Sequence, residues 1–491
     1  MGKKKSVVLM VLLTIVMVVL CVLTVCPSFA IPGTVKEWNP AVNQYDLGAE
    51  LGGGYYAYYY PEGVISETEF DNNYAMLEDE EEKAEYKDSY LPHKGLYLEK
   101  ESIVSGETVT ADFKAAFDAA AKEIAARYAA NGYSDYRVAV VDDYSIRVEL
   151  PLSELNAGTV LSQYALMGEL SLSSGGSVVD ELKGKEASIT DVVKSFSVEN
   201  RYDVSYVKIK FTDKGEEMLD RIKGGLTASS AGSSSATTLD ITVGGETMLS
   251  AYSDHIDDDK VVLIPMAYVQ NKVYVESLCV LLDSLYENGS YDIEFRTIAT
   301  SDLRTFAPVF GDNTLDLIYI ALAIVILVLI VFSIAKMGRF GTVSGYTTVS
   351  YLIIVGLCFA FITKGVFEVT LGSILAFLVG FLLVNVLNGH IYNAIKAEFN
   401  LGKTVESSVK NGFNKTIWNV VDVYAVLLLG ALALLIGAAG LYTFALQAII
   451  CIVAAAFCNL LWNRAINFVL LSASKNKYKY FRFVREDDDE E

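Results

Sequence analysis

Histidine and cysteine are scarce in this 491-residue chain, with three copies of the first and six of the second. His93, His255 and His390 lie in different regions and share no Cys/His spacing, which argues against a zinc site. Five cysteines, Cys21, Cys26, Cys358, Cys451 and Cys458, fall in or beside apolar runs. Cys279 stands alone in the charged part, so no internal disulfide supports that part and it must rest on a hydrophobic core. Eight prolines exclude a collagen-like or linker-dominated chain. Basic residues are in deficit, 39 against 60 acidic, and the net charge of −21 excludes a basic nucleic-acid binder. With 52% hydrophobic residues and a mean hydropathy of +0.35, neither a disordered chain nor a purely soluble enzyme fits.

What is present divides between two solvents. Residues 31–314 carry 49 acidic and 23 basic groups, a balance of −26. The remainder carries 11 and 16, a balance of +5. Lys3, Lys4 and Lys5 precede an uncharged stretch from Ser6 to Ala30, long enough for an uncleaved membrane span. Five more apolar runs follow: 315–335, 342–363, 370–392, 417–438 and 441–463. Lysines and arginines alternate consistently between the short connections, at Lys3–Lys5, Lys336 with Arg339, Lys396 to Lys415, and Arg464 onward. By the positive-inside rule both termini are cytoplasmic and the acidic domain 31–314 lies outside. The final acidic run, Glu486 to Glu491, reads as a solvated tail.

In the acidic domain, Tyr55 to Tyr60 is strand-prone, and residues 62–107 read as acid-rich and irregular. Phe113, Ala116, Phe117, Ala120, Ile124 and Tyr128 recur at helical spacing and predict a helix over 111–130. Residues 136–150 alternate around Asp142-Asp143 as a strand or hairpin, with a short strand at 166–172, a helix at 273–285 and a last strand at 291–298. The order β, α, β, β, α, β gives a ferredoxin-like base (40–175 and 267–305) with an inserted head (176–266). The expected fold class is therefore a six-span α-helical membrane protein with a large extracytoplasmic α+β domain. The domains are 1–30, 31–314, a five-helix bundle at 315–471, and a tail at 472–491.

Catalytic motifs are missing. Gly402-Lys403-Thr404 has the tail of a phosphate-binding loop, but Ala397 stands where its first glycine belongs. Asp257-Asp258-Asp259 lacks a calcium-loop pattern and reads as an exposed turn. No nucleophile–base pair is evident, so neither an enzyme nor a cofactor or metal is expected. Polar groups within the spans are more informative. Asp422 is the one carboxylate well inside a span, and Asn385 and Asn388 share one face of the fourth. They are either bundle-holding hydrogen bonders or an ion path, with the asparagines as neighbours of Asp422 and Asp422 facing protein.

The chain resembles the SecD family of bacterial protein-export subunits, relatives of the resistance-nodulation-division transporters. Leu47-Gly48-Ala49-Glu50-Leu51-Gly52-Gly53-Gly54 resembles the family's early glycine motif, with Glu50 replacing an aspartate. The helix ending in Arg127, the strand Ile146 to Pro151 and Thr212-Asp213-Lys214-Gly215 also resemble family segments. From Thr370 to Asp422 the match is ungapped: Ile395, Glu398, Gly402, Lys403, Val405, Gly412, Phe413 and Asp422 fall at the family spacings, followed by Arg464. The family's proton-conducting aspartate corresponds to Val386, which cannot titrate, whereas the asparagine two places on, Asn388, is kept. The resemblance implies an accessory subunit of the Sec translocase that binds and releases emerging preproteins, coupled to the proton gradient with SecF. It also implies SecF, the SecYEG channel, SecA and unfolded preproteins as partners. A small-molecule or lipid exporter of the same superfamily, or a tethered binding protein without a transport cycle, stands as the alternative.

Overall fold

The computed structural model describes residues 3–25, 29–30, 32, 37–131, 135–153, 157–183, 188–201, 204–229, 236–258, 260–266, 272–296, 303–311, 314–362, 367–437 and 441–474. Cys26, Asp259 and the acidic tail lie outside the described residues. Two compact units result: Gly54–Phe306, and Met1–Gly53 together with Ala307–Glu491. The second unit opens with helix α1 (Lys3–Val25).

The first unit is α+β. Strand β1 (Gly54–Tyr59) is followed by helix α2 (Ala111–Ala130), then by β2 (Arg137–Val141) and β3 (Ser145–Pro151). Thr110 caps α2 by accepting from the Phe113 N–H, and Phe117, Ala120, Ile124 and Tyr128 bury the predicted stripe against Ala57, Tyr59, Ile146 and Val148. Asp142 and Asp143 turn the β2–β3 hairpin with φ of 52° and 70°, the left-handed pair that a tight hairpin uses. Next come β4 (Leu170–Ser174), β5 (Val193–Arg201), β6 (Val204–Phe211), β7 (Leu239–Val243), β8 (Glu246–Ala251) and β9 (Val261–Pro265). Helix α3 (Lys272–Asn288) and β10 (Arg304–Phe306) complete the unit.

These strands form three four-stranded antiparallel sheets. The first has the order β10-β1-β3-β2; the second is the short strand Ser177–Val178, then β4-β7-β8; the third is β5-β6-β9, then Ile256–Asp258. Three expectations are corrected. Strand β4, assigned to the base, pairs with β7 from Leu170↔Val243 to Ser174↔Leu239, so the boundary at 175 cuts a sheet. The predicted strand at 291–298 is, over its described part, only a bridge from Phe295 to Pro61; the strand beside β1 is β10 instead. The segment 62–107 is not irregular: it holds helices Glu67–Met76 and Glu80–Asp88 and the strands Val64–Ser66, Tyr90–His93 and Leu96–Glu99. Ser66 and Asp79 cap the two helices, and the exposed acidic run around Asp79 occupies the first turn of the second, where the helix dipole favours it.

A buried charge network ties α2 to α3. Arg127 is almost fully buried and donates to Ser284 Oγ at 2.8 Å and to the carbonyls of Tyr164 and Leu166 at 3.0 and 2.6 Å. Glu123, one turn earlier and 3.6 Å away, accepts from Ser284, Asn288 and Tyr291.

The second unit continues with α4 (Thr314–Met337), α5 (Arg339–Leu357), α6 (Leu371–Asn400), α7 (Val405–Gly437), α8 (Tyr442–Phe457) and α9 (Asn463–Ala473). A π-helical turn, Cys458–Trp462, joins α8 to α9. Six helices among the described residues are long and apolar enough to cross a membrane, counting Tyr442–Ala473 as one. The chain is thus a multi-pass membrane protein with an α+β unit, as its composition predicts. Helix α5 is the most enclosed, with Phe340, Val343, Tyr351 and Val355 in the core and a row of buried hydroxyls at Ser344, Thr347 and Thr348.

Candidate functional site in the helix bundle

The polar residues of the spans converge on Asn388. Its carboxamide nitrogen donates to Ser344 Oγ at 3.1 Å and to Thr347 Oγ1 at 2.8 Å, both on α5. Its oxygen accepts from the carboxamides of Asn459 at 3.2 Å and Asn463 at 2.5 Å. Both donors and both lone pairs are therefore engaged. Asn459 in turn accepts from Tyr424 Oη on α7 at 2.8 Å, and Asn463 accepts from Asn467 at 2.6 Å. Asn385 joins at the edge, accepting from Thr348 Oγ1 at 3.1 Å and donating to the Phe381 carbonyl at 2.8 Å.

Local sequence explains the convergence. Asn459, Asn463 and Asn467 recur every four residues, a spacing that drifts around a regular α-helix. The wider π-helical turn containing Asn459 offsets that drift, so all three stay inside with no exposed surface. Thr347 and Thr348 hydroxyls also bond back to the Ser344 carbonyl at 2.8 Å each, which keeps α5 self-satisfied in an apolar solvent. The seam is neutral throughout. It consists of amides, hydroxyls and one phenol, and its hydrogen bonds link four helices.

Asp422 is not part of it. Val420 and Tyr424 face the core, and Asp422, about 200° around the helix from each, is exposed. Neither asparagine is its hydrogen-bond partner, which corrects the expectation that Asp422 faces protein beside Asn385 and Asn388. Helix α7 runs from Val405 to Gly437, so Asp422 lies mid-helix. Val386 points outward as well, 66% exposed, two residues from the buried Asn388.

The remaining motif residues have structural roles. Glu50 is exposed on the turn Ala49–Gly52 and its carbonyl accepts the Val309 N–H at 3.1 Å. Gly53 ends that turn with φ +74°; a Cβ on Gly54 would collide with the Leu150 carbonyl and lie 2.6 Å from the Phe306 ring. Gly402 ends α6 with φ +81°, and Lys403 reaches back to the buried Glu398 at 2.5 Å, with Lys415 at 3.7 Å. Gly412 lets α7 approach α6, since a Cβ there would sit 2.5 Å from Ile395, and Phe413 is buried beside it. Arg464 touches Asn414 at 3.5 Å and lies over the Phe468 ring. Sequence reasoning missed Ser344, Thr347, Tyr424, Asn459, Asn463 and Asn467; the four-residue asparagine repeat in an apolar run was the available signal.

Comparison with known proteins bears on this arrangement. The protein translocase subunit SecD of Borreliella burgdorferi is 29% identical over 182 residues, which are 37% of this chain and 31% of that protein. A crystal structure of SecDF in its super-membrane-facing form superposes with a TM-score of 0.55 at 16% identity, covering 96% of this chain and 58% of SecDF. The chain is similar to SecD over that stretch and to SecDF in fold. No protein-family profile matches it. The chain aligns with about a third of the length of the SecD relative and spans 58% of SecDF. Its six spans and α+β unit have the SecDF fold.

Proposed function

We propose that this chain is an accessory subunit of Sec-dependent protein export. The observation that carries the proposal is the similarity to SecD over 182 residues, supported by a SecDF fold covering 96% of the chain. In this reading both termini are cytoplasmic and the unit Gly54–Phe306 lies outside, where it binds unfolded preprotein segments and hinders their return. The moving part is the 176–266 region, with β4 carried along because it shares a sheet with β7. SecF supplies the complementary half of the bundle, and the assembly works beside SecYEG and SecA. Gradient coupling, where it operates, runs through SecF or through Asp422 at the outer face of α7, because the Asn388 seam holds no titrating carboxylate.

The test is purification of the tagged chain from its own membrane in mild detergent, with quantitation of SecF and SecYEG, alongside export rates after depletion. Co-elution of SecF with the channel and slowed export support the proposal. A chain that elutes with neither, and whose depletion leaves export unchanged, refutes it.

A further inference from the structure

The first sheet of the α+β unit buries one face under α2 and carries on the other an aromatic row edged by arginines. Phe306, Tyr56, Tyr58 and Tyr60 follow one another with ring centroids 5.9–6.2 Å apart. The Arg147 guanidinium lies 4.3 Å over the Tyr56 ring, held by Glu149 at 2.7 Å. Cross-strand register puts Arg137 opposite Glu149 and Arg304 opposite Tyr56, so both of these exposed arginines belong to the same face. Between β2 and β3 this face opens a cleft of about 270 Å³, lined by Arg137, Ala139, Val141, Arg147 and Glu149.

Strand β2 ends the sheet, and its outer backbone edge has no partner strand among the described residues. On its opposite face Val140 is 51% exposed, a β-branched apolar side chain left on an open edge. An edge without a partner strand, an apolar contact on one parity and a cleft holding Arg137 and Arg147 on the other fits the recognition of an extended chain by strand addition. The local charge is opposite to that of the surrounding domain, whose balance is −26. We infer that β2 accepts an extended polypeptide segment as an added strand, with alternate acidic or aromatic side chains entering the cleft between Arg137 and Arg147. This inference rests on the export reading for the source of the segment.

The experiment uses the full chain in detergent and two fluorescein-labelled unfolded peptides, one alternating Glu and Phe, the other Lys and Phe. Fluorescence anisotropy should show the acidic peptide binding more tightly than the lysine peptide. Arg137→Glu should weaken the acidic peptide about tenfold and strengthen the lysine peptide, whereas Arg137→Lys retains the original order. N-methylating one alternate set of peptide nitrogens should abolish binding while methylating the other set leaves it. Arg137 is exposed on an edge strand, and an unchanged thermal unfolding curve for Arg137→Glu verifies that the fold persists. Equal binding of both peptides by wild type, or an unchanged order in Arg137→Glu, overturns the inference and leaves the SecF and channel co-elution intact. Loss of that co-elution removes the export reading without changing the anisotropy.

Discussion

Replacing Asn388 with leucine removes the centre of the bundle seam and separates a structural role from a conducting one. The side chain makes four hydrogen bonds, to Ser344, Thr347, Asn459 and Asn463. Interhelical hydrogen bonds within membrane bundles average about 0.6 kcal/mol, so losing four should destabilise the bundle by about 2–3 kcal/mol. The partners left unpaired on α5 and on the Asn459–Asn463 segment push the value towards the upper end. Trp462, whose Nε1 donates to Ser350 Oγ at 2.7 Å, sits in the same helix turn as Asn459 and provides a fluorescent reporter. Reversible unfolding in mixed detergent–dodecyl sulfate micelles, followed by tryptophan emission, should show the lower midpoint. Gradient-driven export per folded molecule should stay at the wild-type level. An unchanged midpoint would refute the claim that the seam holds the helices together. Lost export at full folded yield would show instead that the seam conducts.

Other outcomes follow from the same geometry. Asp422→Leu should leave the unfolding midpoint of the purified chain within about 0.5 kcal/mol of wild type, because the side chain is exposed; a larger loss would mean a buried partner. Arg127→Met should destabilise the α+β unit by about 3–5 kcal/mol by leaving Glu123 buried and uncompensated, and adding Glu123→Gln should recover much of that, read as a double-mutant cycle by hydrogen exchange. Burial pushes the Asp283 carboxyl up to about 6, with Glu287 adding to the shift and the Phe196 backbone hydrogen bond opposing it. Its favourable contribution is complete below pH about 4 and is lost as pH rises through about 6. Asp283→Asn should therefore stabilise the unit at pH 7, by about 1 kcal/mol after allowance for solvent screening of a half-exposed group, and flatten that pH window. Equal pH profiles for the two proteins would contradict it.

The sequence revealed most where a periodic signal ran uninterrupted. Helix α2 appears with the predicted bounds because its apolar stripe, its Thr110 cap and its turn at Asn131 all agree. The spans were legible because a bilayer demands long uncharged runs, which nothing else in the chain supplies. Strand β10 was not legible, since Arg304-Thr305-Phe306 is short and earns its place only by pairing with β1. Acidic composition concealed the elements of 62–107, where the stacked rings of Phe70 and Tyr97, 3.7 Å apart, make a contact that no local pattern announces. The facing of Asp422 could have been read from its helix: Val420 and Tyr424, two residues to either side, had to choose one face, and a carboxylate between them had to take the other. The seam as a whole could not, because a hydrogen bond between Asn388 and Asn459 depends on how helices distant in sequence are packed.

Strands β1 and β10 give the α+β unit an unusual pair of doors. Gly54 pairs directly with Phe306, so the first and last residues of the unit are antiparallel neighbours, with their Cα atoms about 5 Å apart. Entry and exit are side by side in one sheet, and the 253 residues from Gly54 to Phe306 form a closed cassette. Such a cassette can be cut out, or exchanged for another of the same doorway width, without changing the spacing between Gly53 and Ala307. The same doorway governs the response to tension. A pull that separates the two exits peels the three residues of β10 from β1 one hydrogen-bonded pair at a time, so the sheet opens at its outer strand before the buried core feels the load.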